Sequence, residues 1–149
     1  MGRPRTLLIL CHGNLCRSPY LQAVIKRALP EMRVESAGFM ALGGPAPPFA
    51  VAVSARRGID LSGFRSRPLV QAMVRGADLI VVMDDDQADR VHHYYGVPRH
   101  HIIVAGDLDP LPSSTRAILD PYDQPMAAFE ASYNRLDRCA ETLVTLLRH

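Results

Sequence analysis

The sequence predicts an α/β fold in three layers: a small parallel sheet of about four strands with helices on both faces. Three observations carry this expectation. The runs Thr6–Cys11 and Ala77–Asp84 are apolar without alternation, as parallel strands covered on both faces are. Segments of helical spacing lie between the strand-like ones, the pattern of βαβ units with right-handed connections. The first run ends in Cys11 and leads through His12–Leu15 to a helix opening at Ser18–Pro19. Ligand sites in such sheets lie at the carboxyl ends of strands, where Cys11 falls.

Each element has a local reason. Residues 6–11 form the first strand. Ser18 is placed to cap the next helix and Pro19 suits its first turn. Leu21, Val24, Ile25, Ala28 and Leu29 then share a helical face, and Pro30 ends it. Residues 32–37 make a second strand, stopped by Gly38. The Gly-, Ala- and Pro-rich stretch 38–49 reads as a loop. Short helices are expected over 50–58, stopping at Gly58, and over 68–75. A strand over 77–84, a helix over about 85–94 and a strand over 100–104 follow. A Pro-rich loop spans about 106–125. The final helix, about 126–147, sets Phe129, Tyr133, Leu136, Ala140, Leu143, Val144 and Leu147 on one face. No repeat or linker divides the chain, so residues 1–149 are expected to form one domain.

Composition narrows the function. With 17 basic and 15 acidic side chains the net charge is +2, too balanced for a nucleic-acid binder. Three cysteines without scaffold spacing fit a reducing compartment, and a cytoplasmic location is expected. The apolar runs are strand-sized, so no membrane span is expected. Nor is there a signal peptide's apolar core near the start. Met1–Gly2 with Thr6 fits only the loose pattern for myristoylation.

The segment Cys11-His12-Gly13-Asn14-Leu15-Cys16-Arg17-Ser18-Pro19 carries the chemistry. Cys11 and Arg17 alone fit a buried strand-end thiol and a solvated arginine just as well. The turn residues and helix opening between and after them favour a phosphate-binding loop with a nucleophile in its floor. Backbone N–H groups, a helix N-terminus and an arginine all favour a thiolate, and a closed loop brings all three to Cys11. Amides from His12, Gly13, Asn14, Leu15, Cys16 and Arg17 would cradle the phosphoryl oxygens. Arg17 would add a charge-assisted pair, stronger in the transition state. Ser18 would hydrogen-bond the Cys11 sulfur. A departing alkoxide needs an acid, and Asp120-Pro121-Tyr122 offers one, although an aspartate before proline is also a common turn feature.

Loop and acid together resemble the low-molecular-weight protein tyrosine phosphatase family, whose C-x-G-N-x-C-R-S-P motif stands complete here. The family's late D-P-Y/F motif is matched by Asp120-Pro121-Tyr122. Val34–Gly38, Gly58-Ile59-Asp60 and Ala77–Asp84 also look like its strand and turn signatures. The resemblance covers essentially the whole chain. It implies a phosphotyrosine hydrolase with a phosphocysteine intermediate and no cofactor or metal. Asn14 is then expected to hold the loop in a left-handed conformation, with Ser36 in support. Cys16 is either a redox partner of Cys11 or purely structural. Phe39, Met40, Leu42 and Tyr122 are expected around the pocket, forming an apolar wall. The stretch 38–44 looks most like bacterial members linked to tyrosine kinases of capsule and exopolysaccharide synthesis. A phosphotyrosine protein, such as a kinase of that kind, is the expected partner, for a monomer or weak dimer.

Two departures stand out. Relatives often carry a histidine where Gly63-Phe64-Arg65 places Phe64, and a D-P pair where Pro47-Pro48 stands. His92-His93 and His100-His101 read as solvated histidines rather than ligands. Asp84-Asp85-Asp86 reads as a helix start, and Cys139 as core. Rival functions are a thiol-dependent arsenate reductase, for which the resolving thiols are poorly placed, and a non-catalytic phosphotyrosine or anion binder, which would not need Asp120. The related arginine phosphatases typically carry Thr where Leu15 stands.

Overall fold

A computed structural model describes residues 4–148; Met1 and Gly2, and with them the myristoylation pattern, lie outside the described residues. Strand β1 (Thr6–Cys11) lies between β2 (Arg33–Gly38) and β3 (Leu79–Val82), and β3 pairs with β4 (Ile102–Val104). Every pairing is parallel, in the order β2-β1-β3-β4. The chain therefore leaves β1 in one direction for β2 and returns on its other side for β3. The order reverses beside β1, and a crevice opens at the carboxyl end of its strand. Cys11 is the last residue of β1 and faces Gly38 across the ladder.

The period of two along β1 assigns its side chains to two cores. Leu7, Ile9 and Cys11 face α1 (Arg17–Ala28), α2 (Pro48–Arg56) and α5 (Met126–Leu147), packing with Tyr20, Val53 and Phe129. Leu8 and Leu10 face α3 (Gln71–Gly76) and α4 (Asp85–Tyr95), packing with Val74 and Val91. Leu7, Leu8, Ile9 and Leu10 are at most 1% exposed. Burial of each such side chain contributes about 1.5–3 kcal/mol, so a charge at any of them would break the sheet's centre.

Several boundaries differ from the sequence expectation for identifiable reasons. The third strand keeps only Leu79–Val82 of 77–84. Asp78 turns its carboxylate to the backbone N–H groups of Arg5 and Thr6, and Asp84 caps α4 by accepting from Gln87 N–H. Residues 100 and 101 belong to a 3-10 turn closed by His101 N–H on Pro98, which leaves three residues for β4. Helix α2 begins two residues earlier than expected because Pro48 fits its first position. Helix α3 begins later because Leu69 N–H is drawn to the Gly38 carbonyl. Among the described residues, no helix is long and apolar enough to cross a membrane.

Candidate active site

The loop from Cys11 to Arg17 is built around Asn14. That residue is fully buried and left-handed, with φ at +52°. Asparagine tolerates this conformation better than most residues. Its amide nitrogen donates to Ser18 Oγ at 2.7 Å and to Ser36 Oγ at 3.0 Å, and its Oδ1 accepts from Arg67 N–H at 2.9 Å. Ser36 in turn donates to Gln22 Oε1, and Gln22 Nε2 donates to the Val34 carbonyl. Helix α1 and strand β2 thus clamp the loop from both sides. Gly38 completes the clamp, because a Cβ there would sit 2.8 Å from both Asn14 N and the Gly13 carbonyl carbon.

Ser18 does not cap α1. The helix starts at Arg17 with Cys16 in the cap position and no side-chain cap bond. The Ser18 hydroxyl accepts from Asn14 and lies 3.0 Å from Cys11 Sγ. With its lone pair engaged by Asn14, its hydrogen is free to point at the sulfur. Cys11 itself is 2% exposed.

Arg17 is almost wholly buried. Its Nη1 donates to the Ile118 carbonyl at 2.8 Å, and its Nη2 lies 3.4 Å from Asp120 Oδ2. Its Nε is buried without a partner. A buried guanidinium N–H left unpaired is costly, and an anion beside the loop would satisfy it. Asp120 is partly open to solvent, with 42% of its side chain exposed. Its Oδ1 accepts from Tyr122 N–H, and Pro121 between them is buried.

A cavity of about 550 Å³ opens over this loop. Cys11, His12, Gly13, Leu15 and Cys16 line one part of it, Met40, Leu42 and the Pro45–Pro48 segment a second, and Asp120 and Tyr122 a third. Phe39 is the exception among the expected wall residues. It packs with the core on the other face of the sheet, under the Arg90 guanidinium at 4.5 Å. The chain turns at Phe39 and Met40 directly after β2, and the turn carries Met40 to the cavity and Phe39 to the opposite core.

Cys16 is buried, and that burial, with the Asp120 and Cys11 charges, pushes its thiol up to about 12. Its carbonyl accepts from Tyr133 Oη at 2.8 Å, and the Tyr133 ring stacks on Tyr20 at 4.0 Å. Tyr133 read only as core in the sequence, and Gln22 and the Arg67 amide went unnoticed. Gln22 lies one helical turn after Ser18, a spacing that could have revealed it. Phe64 packs at the edge of the main core, and Asn14 Oδ1 is met by the Arg67 backbone instead of a histidine. Pro47 and Pro48 cap and open α2 at the cavity wall. His92 and His101 each bond a backbone carbonyl, of Val97 and Asp78. Cys139 is buried in α5.

A buried cysteine under a left-handed loop, an arginine at the start of the next helix and a carboxylate across the cavity define a cysteine-dependent phosphoryl-transfer site. The profile of the low molecular weight phosphotyrosine protein phosphatases matches residues 6–149. The chain is 37% identical to a probable low molecular weight protein-tyrosine-phosphatase, EpsP, of Ralstonia nicotianae over 97% of both chains. It is 34% identical to the Wzb phosphatase of Escherichia coli K12, over 90% of this chain and 89% of that one. The crystal structure of the tyrosine phosphatase AmsI of Erwinia amylovora superposes with a TM-score of 0.89 at 33% identity, covering 98% of this chain and 95% of that one. The chain belongs to the low-molecular-weight protein tyrosine phosphatase family. It is an enzyme whose active site holds Cys11 and Arg17, consistent with tyrosine phosphatase chemistry through a phosphocysteine.

Proposed function

We propose that Cys11 is the nucleophile, Arg17 the phosphoryl-binding cation and Asp120 the general acid and base, acting on a phosphotyrosine protein in the cytoplasm. The observation that supports this most is the meeting of the three groups: Cys11 and Asp120 line the same cavity, and Arg17 is ion-paired to Asp120. In the first step the Cys11 thiolate attacks phosphorus in line. The phosphorus–oxygen bond to tyrosine breaks as protonated Asp120 gives its proton to the leaving oxygen. In the second step water attacks the phosphocysteine and gives its proton to the Asp120 carboxylate. The sulfur–phosphorus bond breaks, and the Ser18 hydroxyl steadies the departing thiolate.

Backbone amides of His12 to Arg17 supply donors to the phosphoryl oxygens, and the unpaired Arg17 Nε supplies another. Met40, Leu42 and Tyr122 offer an apolar wall suited to a flat phenolic leaving group. The whole span 1–149 acts as one domain. A bacterial tyrosine kinase of exopolysaccharide synthesis is the candidate partner, on the resemblance of residues 38–44. Hydrolysis of phenyl phosphate, whose poor leaving group needs the acid, tests the assignment in EDTA and dithiothreitol. C11S should abolish turnover, and D120N should lower it about 10²–10⁴-fold, the usual range for a lost general acid. Full activity in either variant would remove that residue's role.

A further inference from the structure

Asp120 sits at the end of a long irregular segment, and a segment of that length does not by itself hold a carboxylate to a fraction of an ångström. Something outside the cavity must fix it. Helix α5 supplies the hold. Arg135 Nη2 donates to the Thr115 carbonyl at 2.6 Å and its Nη1 to the Ala117 carbonyl at 2.7 Å. The Ser132 hydroxyl donates to the Leu119 carbonyl at 3.2 Å. Between these, Ile118 gives its N–H to the Met83 carbonyl and takes Arg17 on its own carbonyl. Four of the five carbonyls immediately before Asp120 are therefore held by named donors.

Arg135 is itself aimed by a buried carboxylate. Its Nε donates to Asp109 Oδ2 at 3.1 Å, and the Asp109 side chain is 2% exposed. Arg138, one turn further along α5, gives Asp109 two more bonds at 2.9 and 3.1 Å. The fold closes tightly at this point: a Cβ on Gly106 would lie 1.8 Å from the Arg116 carbonyl oxygen and 2.9 Å from Arg135 Nη2. A planar guanidinium is the side chain that can bridge two carbonyls and a carboxylate at once; an ammonium is not.

We propose that Arg135, oriented by Asp109, is a positioning residue that aims Asp120 at the leaving oxygen. The inference rests on the reading of Asp120 as general acid. It makes a prediction specific to that step. A nitrophenolate departs without much help, whereas a phenolate, whose conjugate acid titrates near ~10, needs the proton. Misplacing the acid therefore hurts poor leaving groups selectively.

The test is kcat/KM for phenyl phosphate and for p-nitrophenyl phosphate in wild type, R135M, R135K, D120N and the R135M/D120N double variant. R135M leaves the Asp109–Arg138 pair in place, and R135K carries the test if R135M fails to fold. Loss of Arg135 should lower the phenyl phosphate value about 10–100-fold, the scale of a roughly 1 Å misplacement, and the p-nitrophenyl value far less. In the D120N background the same change should add no further selectivity, because the acid it aims is gone. An equal loss on both substrates, or the same loss with and without Asp120, would overturn the inference and leave Arg135 a merely structural residue. If D120N itself shows the wild-type leaving-group preference, the reading of Asp120 falls first and this inference with it.

Discussion

Arg17 and Ile118 are joined by a hydrogen bond of 2.8 Å from guanidinium to main-chain carbonyl, across 101 residues of sequence. It ties the start of α1 to the loop that carries Asp120. One Nη is thereby committed to the protein, the other leans on Asp120, and Nε is left for an anion.

Lysine at position 17 keeps the charge and loses this geometry. R17K is expected to lower turnover of p-nitrophenyl phosphate about 10²–10³-fold, the scale of losing an aligned transition-state donor. Steady-state kinetics, with circular dichroism as the check on folding, measures this. Turnover within a few-fold of wild type would mean that the fork is not used.

Gly38 is expected to matter without touching substrate. A methyl group in G38A meets the backbone of Gly13 and Asn14 rather than a flexible side chain. The loop must shift, at a stability cost of about 1–3 kcal/mol. Turnover should fall together with the urea midpoint. A variant with both unchanged would show that the loop tolerates the displacement.

The Asp109 carboxyl is held down at about 2, first by the Arg138 hydrogen bond and also by the Leu111 N–H and the Arg138 and Arg135 guanidiniums. Its folded value lies below the unfolded one of about 3.9, so its stabilisation is present above about pH 4 and lost as pH falls towards about 2. Urea unfolding across that window should show wild type losing stability more steeply than D109N. Parallel curves would remove Asp109 from the acid response.

Cys16 gives the opposite sign. Its folded value, about 12, lies above the unfolded thiol's. Its contribution is complete below about pH 8.5 and is lost as pH rises through about 12. Cys139, pushed up to about 11 by burial, adds to the same alkaline loss. C16S should therefore lose less stability than wild type between about pH 9 and pH 11. Equal losses would assign the alkaline response elsewhere.

The central layer and the loop were legible in sequence because their signals are local. Leu7–Leu10 form an uninterrupted apolar strand, and Asn14 beside Gly13 announces an unusual turn within three residues of Cys11. What could not be read depends on partners far along the chain. Ser18 reads as a cap and as a partner of the Cys11 sulfur, and nothing local reveals that the Asn14 amide also claims its hydroxyl. Tyr133 falls on the apolar face of α5, and its bond to the Cys16 carbonyl spans 117 residues. The Ala117 and Thr115 carbonyls that Arg135 bonds lie 18 and 20 residues before it, and only the fold brings them together. Phe39 and Met40 are neighbours in sequence, and only the turn they form after β2 separates them, sending Met40 alone to the cavity.

The phosphocysteine itself can be sought by quenching wild-type enzyme with acid during turnover of an aryl phosphate and mapping the peptides by mass spectrometry. One phosphoryl group is expected on the peptide that contains Cys11, absent in C11S. Turnover with no covalent phosphoryl group, or with the group on any other residue, would contradict Cys11 as the nucleophile.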